Sequence, residues 1–331
     1  MDNLSHLQGQ FTMDCILPVL TALAIAAALG PVVIPALKRL HIGQTEQEEL
    51  AEGLESHKKK GGTPTMGGVL FLIPMIFVSL FYLHGYRTII PVLLLTAGFG
   101  LVGFVDDYIK VVKKRNLGLT PKQKLFGQFV AATLFLLYLH FYTDITLTMR
   151  VPFMKGAELN LGVLAYPAFY LIALATANGT NFTDGVDGLC GSVTVPVAVF
   201  FASAAVTTGV SAHPVCLALA GGLMGYLLYN VYPARVMMGD TGSLAIGGFV
   251  TGVAYVTNTP LFIPIAGFIY AAEVLSVVMQ VTYFKATKGK RIFKMAPIHH
   301  HFELSGWSEA RVVNVFTTVT IAGALIAYAG L

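Results

Sequence analysis

The sequence predicts an all-α integral membrane protein in which ten transmembrane helices form one polytopic domain over residues 1–331. Three observations predict it. Hydrophobic residues make up 55% of the chain, charged residues only 11%, and the mean hydropathy is +0.71, whereas a soluble domain carries about 25% charged residues. Apolar runs close to the roughly 20 residues a helix needs to cross a bilayer recur from end to end, with no gap long enough for a separate globular unit. The basic residues are also one-sided: with the runs threaded through a membrane, all of the 21 Lys and Arg except Arg87, Arg150 and Lys155 fall on one face.

The first run, 15–37, ends at Lys38-Arg39, which places the N-terminus outside and the next segment in the cytoplasm. Asp2 and Asp14 precede it and no Lys or Arg does, so it reads as an uncleaved span and not as a signal peptide with a positive n-region. Runs at 66–83, 89–105, 125–142, 161–177, 190–208, 214–231, 243–257, 261–284 and 311–330 follow, putting both termini outside. Cytoplasmic loops then fall at about 38–65, 106–124, 178–189, 232–242 and 285–310. A slip of one span would scatter the basic residues over both faces, so the charge pattern supports the parity. The outer segment 143–160, with alternating residues, Pro152 and Gly156, is expected to form a small hairpin.

Several features carry bland readings. Cys15, Cys190 and Cys216 lie in apolar runs without ligand spacing, as small buried hydrophobes do. The net charge of +4 resides beside spans, which suits membrane orientation and speaks against nucleic-acid binding. Gly98-Phe-Gly100-Leu-Val-Gly103 spells a dinucleotide fingerprint but lies inside a span with no strand before it, so close helix packing is expected. Asn178-Gly-Thr180 and Asn181-Phe-Thr183 match the glycosylation acceptor on the cytoplasmic side, where that modification does not occur. Gly221 and Gly225 form a small-xxx-small pair that fits an interface within one subunit or between two.

The chemistry-bearing residues concentrate in the cytoplasmic loops. Asp106 and Asp107 close the third run, and Asp106 shares a helix face with Lys110 at i, i+4. Adjacent helical side chains diverge by about 100°, so one acid is expected to face a reaction and the other to support it. Asn181, Asp184 and Asp187 are spaced i, i+3, i+6 in a Gly-rich loop, and on a helical turn they would align three oxygen donors for a hard cation or a nucleotide. Asp240, in Met-Gly-Asp-Thr-Gly-Ser, is a further carboxylate of this set or a helix cap. Asn230 closes the preceding span. His299, His300 and His301 follow Pro297, are expected to begin in extended chain, and lack the one-face spacing of a zinc helix. Glu273 stands deep in the ninth run, where an ionised group must pair or line a polar cavity. Carboxylates mixed with lysines are what phosphoryl transfer requires, since its work is positioning and neutralising oxygen charge.

In order, KKGGTPTMGG, GFVDDYIK, NFTDGVDGL, PARVMMGDTGSLA and PIHHHFE resemble the motifs of the polyprenyl-phosphate N-acetylhexosamine-1-phosphate transferases, and among them the bacterial phospho-N-acetylmuramoyl-pentapeptide transferases. The resemblance covers almost the whole chain. It implies ten helices, a homodimer in the bacterial inner membrane, a cytoplasmic active site, and Mg²⁺-dependent transfer from UDP-N-acetylmuramoyl-pentapeptide to undecaprenyl phosphate, giving lipid I and UMP. By the same resemblance Asp106, Asp107, Asp240 and His300 are catalytic, with Asp240 a Mg²⁺ ligand. Lys60, Lys110, Lys122, Asn181, Asp184, Asp187, Asn230, Met237, His299 and His301 are expected to bind substrate. Met237 stands where some relatives carry an aromatic residue. An enzyme using UDP-N-acetylglucosamine is the nearest rival, and an ion-coupled transporter is disfavoured because only Glu273 lies at mid-membrane.

Overall fold

The computed structural model describes residues 2–39, 62–112 and 117–331, so Lys60 and the run Lys113, Lys114 and Arg115 lie outside the described residues. A helix stands at each of the ten expected positions. The first four are α1 Asp2–Arg39, α2 Val69–Tyr82, α3 Ile89–Val112 and α4 Pro121–Tyr142. A two-stranded antiparallel hairpin, β1 Met149–Arg150 with β2 Glu158–Leu159, follows where the sequence places one. Then come α5 Ala165–Thr183, α6 Leu189–Thr207, α7 His213–Asn230 and α8 Gly239–Val256. The chain ends with α9 Ile263–Ala266, α10 Phe268–Ala286, α11 Ile298–Glu303 and α12 Glu309–Ala329.

Six of these helices are long and apolar enough to cross a membrane, and the bent pair α9–α10 makes a seventh candidate. Large apolar side chains face outward on the peripheral helices, among them Leu20 of α1, Phe81 of α2, Leu101 of α3, Leu171 of α5 and Leu325 of α12. Such a belt is a lipid-facing surface. The chain is therefore an all-α, multi-pass membrane protein.

The helix α8 is the hub. Every residue from Thr241 to Val256 is buried, and it joins two apolar cores, one among α1, α2, α6 and α7 and the other among α3, α4 and α5. Enclosure by protein explains how so Gly-rich a helix holds its place: a Cβ at Gly248 would meet the Leu95 carbonyl of α3. The α3–α8 pair is the most extensive helix contact. On α3 the Gly-rich run is a packing surface, as its sequence implied, with Gly100 against Ala245 and Gly103 against the Asp240 carbonyl. Gly221 and Gly225 of α7 pack on Val19 and Ala26 of α1, so that pair serves an interface within the chain.

Four boundaries differ from the sequence expectation. The third helix continues to Val112, so Asp106, Asp107 and Lys110 are helical. The helix α5 runs to Thr183, where a loop from 178 was expected. Its polar residues bond back to their own helix, Thr183 Oγ1 to the Gly179 carbonyl at 2.7 Å and Asn178 Nδ2 to the Leu174 carbonyl at 2.7 Å, which removes the cost of helical packing for a polar stretch. The ninth run bends by 85° at the break between α9 and α10, with Pro264 inside the short arm and Gly267 at the corner. The histidines form a helix and not extended chain. Proline restricts the residue before it, here Ala296, while Pro297 itself, at φ −62° and ψ 168°, is the N-cap of α11.

Candidate active site

Three helix ends meet around Asp240. Because Gly103 has no Cβ to collide with α8, α3 approaches closely enough for Asp107 to act as a cap across helices. Its carboxylate accepts the Asp240 N–H at 3.2 Å, the Thr241 N–H at 2.9 Å and the Thr241 hydroxyl at 2.7 Å. These are the orphan donors of a helix N-terminus, and a carboxylate there is favoured by the helix dipole. Asp240 thus does not cap α8, the alternative left open by its sequence. Its side chain turns the other way.

There Asp240 Oδ2 meets Lys110 Nζ at 2.9 Å and Lys124 Nζ at 2.7 Å, while Oδ1 accepts from Asn181 Nδ2 at 2.7 Å. Asn181 also donates to Ser243 at 2.9 Å. Lys110 reaches back to Asp106 at 2.5 Å, the i, i+4 pair read from the sequence. The other oxygen of Asp106 accepts the Leu119 N–H at 2.8 Å, and Gly118 leaves room for it. Beyond that turn, Thr120 and Gln123 form a capping box with Pro121 at the start of α4, a local signal that fixes the helix phase and places Lys124 over Asp240.

Asp106, Asp107 and Asp240 present oxygens within 4.8 Å of one another. Asp184, at the end of α5, lies close enough that burial, followed by the charges of Asp240 and Asp107, pushes its carboxyl well above the usual range. Such an excess of negative charge is what a bound cation relieves, and an all-oxygen donor set suits a hard divalent ion such as magnesium. The residues present therefore fit a Mg²⁺ site.

The remaining expected residues divide. Asn181, Asp184 and Asp187 do not align on one face, because α5 stops at Thr183 and Asp184 takes φ −85° and ψ 37°. Asp187 instead accepts the Ala234 N–H at 2.9 Å. Asn230 is buried, accepting the Gly188 N–H at 3.0 Å and donating to the Val236 carbonyl at 2.9 Å, so it ties two loops together. Met237 is buried, its backbone paired with Pro64 and Gly67. Lys122 is exposed and takes no part in the ion pairs around Asp240; Lys124 does.

Each histidine has its own partner. His299 Nδ1 lies 3.1 Å from Glu273, both fully buried. His300 Nδ1 pairs with Glu303 at 2.7 Å. His301 accepts the Lys294 N–H through Nδ1 at 3.1 Å. Gln280 holds the intervening segment against α10 through the Ile292 and Phe293 backbone, at 3.0 Å for each of its three bonds. Sequence reasoning counted Lys124 among the cations near the acids but preferred Lys122, and it assigned no role to Thr241, Ser243 or Gln280. The Thr120–Gln123 capping box was the available signal for Lys124, and nothing local marks the others.

Residues 89–258 match the family model described as glycosyl transferase family 4, and residues 60–72 match phospho-N-acetylmuramoyl-pentapeptide-transferase signature 1. The chain is 49% identical over 302 residues to the phospho-N-acetylmuramoyl-pentapeptide-transferase of Acetivibrio thermocellus, covering 90% of this chain and 89% of the relative. Similar enzymes of Clostridium perfringens, at 43% over 328 residues with 98% and 99% covered, and of Desulforamulus reducens, at 45% over 314 residues with 92% of each covered, bear the same name. With its membrane-embedded helices and its carboxylate–lysine cluster, the chain belongs to the phospho-N-acetylmuramoyl-pentapeptide-transferase family of peptidoglycan synthesis, within glycosyl transferase family 4.

Proposed function

We propose that the protein transfers phospho-N-acetylmuramoyl-pentapeptide from its UDP donor to undecaprenyl phosphate, releasing UMP and forming lipid I, with Mg²⁺ as cofactor. The observation that carries this reading is the convergence of Asp106, Asp107 and Asp240 with Lys110 and Lys124 at one end of α3 and α8, in a chain whose relatives bear that enzyme's name.

The acceptor is a phosphate monoester whose second pKa is about 6, so at neutral pH it is already a dianion. One of its oxygens forms a bond to the sugar-linked phosphorus of the donor, and the bond from that phosphorus to the bridging oxygen breaks, its electron pair leaving with UMP. No proton has to be removed. Asp106 therefore orients Lys110 and the 117–120 turn and does not act as a base. A magnesium ion held by the three carboxylates would neutralise oxygen charge as two anions approach. Lys110 and Lys124 add positive charge on the same side, and Asn181 holds the Asp240 carboxylate through its other oxygen. His300 and His301, part-exposed on α11, are assigned to the donor's diphosphate or sugar, and Lys60 to the substrate.

This reading places ten crossings in the bacterial inner membrane, both termini outside, the cluster on the cytoplasmic face, and two copies in a homodimer. The one-sided basic residues support the orientation. Incubation of purified protein with UDP-muramoyl-pentapeptide and polyprenyl phosphate should yield UMP and a lipid-linked product only when Mg²⁺ is present. Equal use of UDP-N-acetylglucosamine would remove the donor assignment, and turnover undiminished by chelation would remove the metal.

A further inference from the structure

We infer that His299 is a positioning residue, a strut held by Glu273 of α10 that braces Gly185 and so fixes the turn carrying Asp184 and Asp187, and that it does not itself contact the donor. The inference deepens the proposed reaction and rests on it for its kinetic readout.

Glu273 and His299 are both fully buried, with Oε1 and Nδ1 at 3.1 Å. A carboxylate at this depth is unfavourable without a partner, and the imidazole is the partner the described residues offer. The opposite edge of the ring, Nε2, has no hydrogen-bond partner among the described residues and lies against Gly185, where an added Cβ would overlap it. With Glu273 behind the ring and Gly185 before it, no surface remains for a ligand. Three residues before Glu273 and six before Gly185, α10 and α5 are already in close contact: a Cβ on Gly179 would press on the Tyr270 carbonyl at 2.7 Å. The strut therefore stands on a rigid base. Gly185 directly follows Asp184, and α5 above it carries Asn181, which holds Asp240. Displacing Gly185 moves both acids of the turn and the helix end that orients the central carboxylate. Misplacement by about 1 Å can cost on the order of 100-fold in rate.

The test is a reciprocal rescue read in two ways. Gly185→Ala should lower kcat about tenfold or more by forcing a methyl group against the ring, and Gly185→Ala/His299→Asn should turn over faster than Gly185→Ala because the shorter amide returns the space while keeping a donor for Glu273. A double variant equal to or slower than Gly185→Ala overturns the contact. Thermal unfolding of the same purified proteins needs no substrate: the double variant should unfold at a higher temperature than Gly185→Ala, and the reverse order overturns the strut. If the wild-type protein fails to use UDP-muramoyl-pentapeptide, the substrate reading falls while this thermal comparison still decides the strut. Glu273→Gln preserves shape and replaces the carboxyl behind the ring with an amide. It should lower kcat about tenfold with donor KM within twofold, the pattern of lost positioning; kcat within twofold of wild type, whatever KM does, overturns the role of Glu273.

Discussion

Asp240 and Glu273 are both carboxylates set among packed helices, yet Asp240 meets two ammonium groups and an amide while Glu273 meets one imidazole. Asp240 retains 15% of its side-chain exposure and Glu273 none. The difference separates work from architecture. Around Asp240 the lysines are flexible, partly exposed point charges that can exchange a carboxylate for an incoming phosphate at small desolvation cost. Around Glu273 the pair is sealed from water and has no such freedom to exchange partners. On the proposed reading the first cluster changes partners during the reaction, and the second keeps the first in place.

The largest expected effect tests the Asp240 side. Asp240→Asn keeps the size of the side chain and, since Asp107 and not Asp240 caps α8, should leave the fold intact. Turnover should fall by about 100- to 1000-fold, the scale seen when a preorganised charge-stabilising group is removed. A well-folded variant with near-normal activity and unchanged Mg²⁺ dependence would collapse the distinction between the two carboxylates.

How much of this was legible in sequence follows from the range of the interactions. The pair Asp106–Lys110 is local, i to i+4, and so is the Thr120–Gln123 box; both leave a periodic signature. The convergence of Asp107 on the start of α8 spans 134 positions and depends on Gly103 admitting a backbone, which composition does not announce. Hydropathy located the helices but misjudged α5, because threonines that look like loop residues bond to their own helix when its face is buried. The histidines were misread from the wrong side of Pro297. Glu273 was conspicuous as a lone buried acid, but its partner lies across a bent segment that no local pattern describes.

Next in size is Lys124→Ala. Its ammonium is one of two on Asp240 Oδ2, at 2.7 Å, and a hydrogen bond to a charged group contributes about 1.5–3 kcal/mol. With Lys110 still in place, kcat/KM should fall roughly 10- to 100-fold, and Mg²⁺ titration should show a shifted midpoint because Asp240 has lost a competing cation. An unchanged midpoint would mean that the metal does not share this carboxylate.

A smaller effect, visible in stability, sharpens the role of Asp107. Asp107→Ala uncaps α8 and should cost about 1–2 kcal/mol, read as a lower unfolding temperature of the purified protein without substrate. Asp107→Asn, which keeps an acceptor, should recover most of that loss. If the two variants unfold alike, the bonds to Asp240 and Thr241 contribute little, and Asp107 belongs with the reacting groups.

The smallest effect is the most discriminating between two neighbouring lysines. Lys122 and Lys124 lie on the first turn of α4, and the family resemblance favoured Lys122 for substrate binding. On a helix, residues two apart point away from each other. The capping box sets the phase so that Lys124 reaches Asp240 while Lys122 is exposed. Exposed substitutions of this kind change free energies by no more than about 0.5 kcal/mol, so Lys122→Ala should leave kcat/KM and donor KM within about twofold of wild type. Steady-state kinetics of the two alanine variants, side by side, read the helix phase directly. A large rise in donor KM for Lys122→Ala would show that the donor extends past the carboxylate cluster to the outer face of α4, and the active site would then include a surface that the ion pairs around Asp240 do not reach.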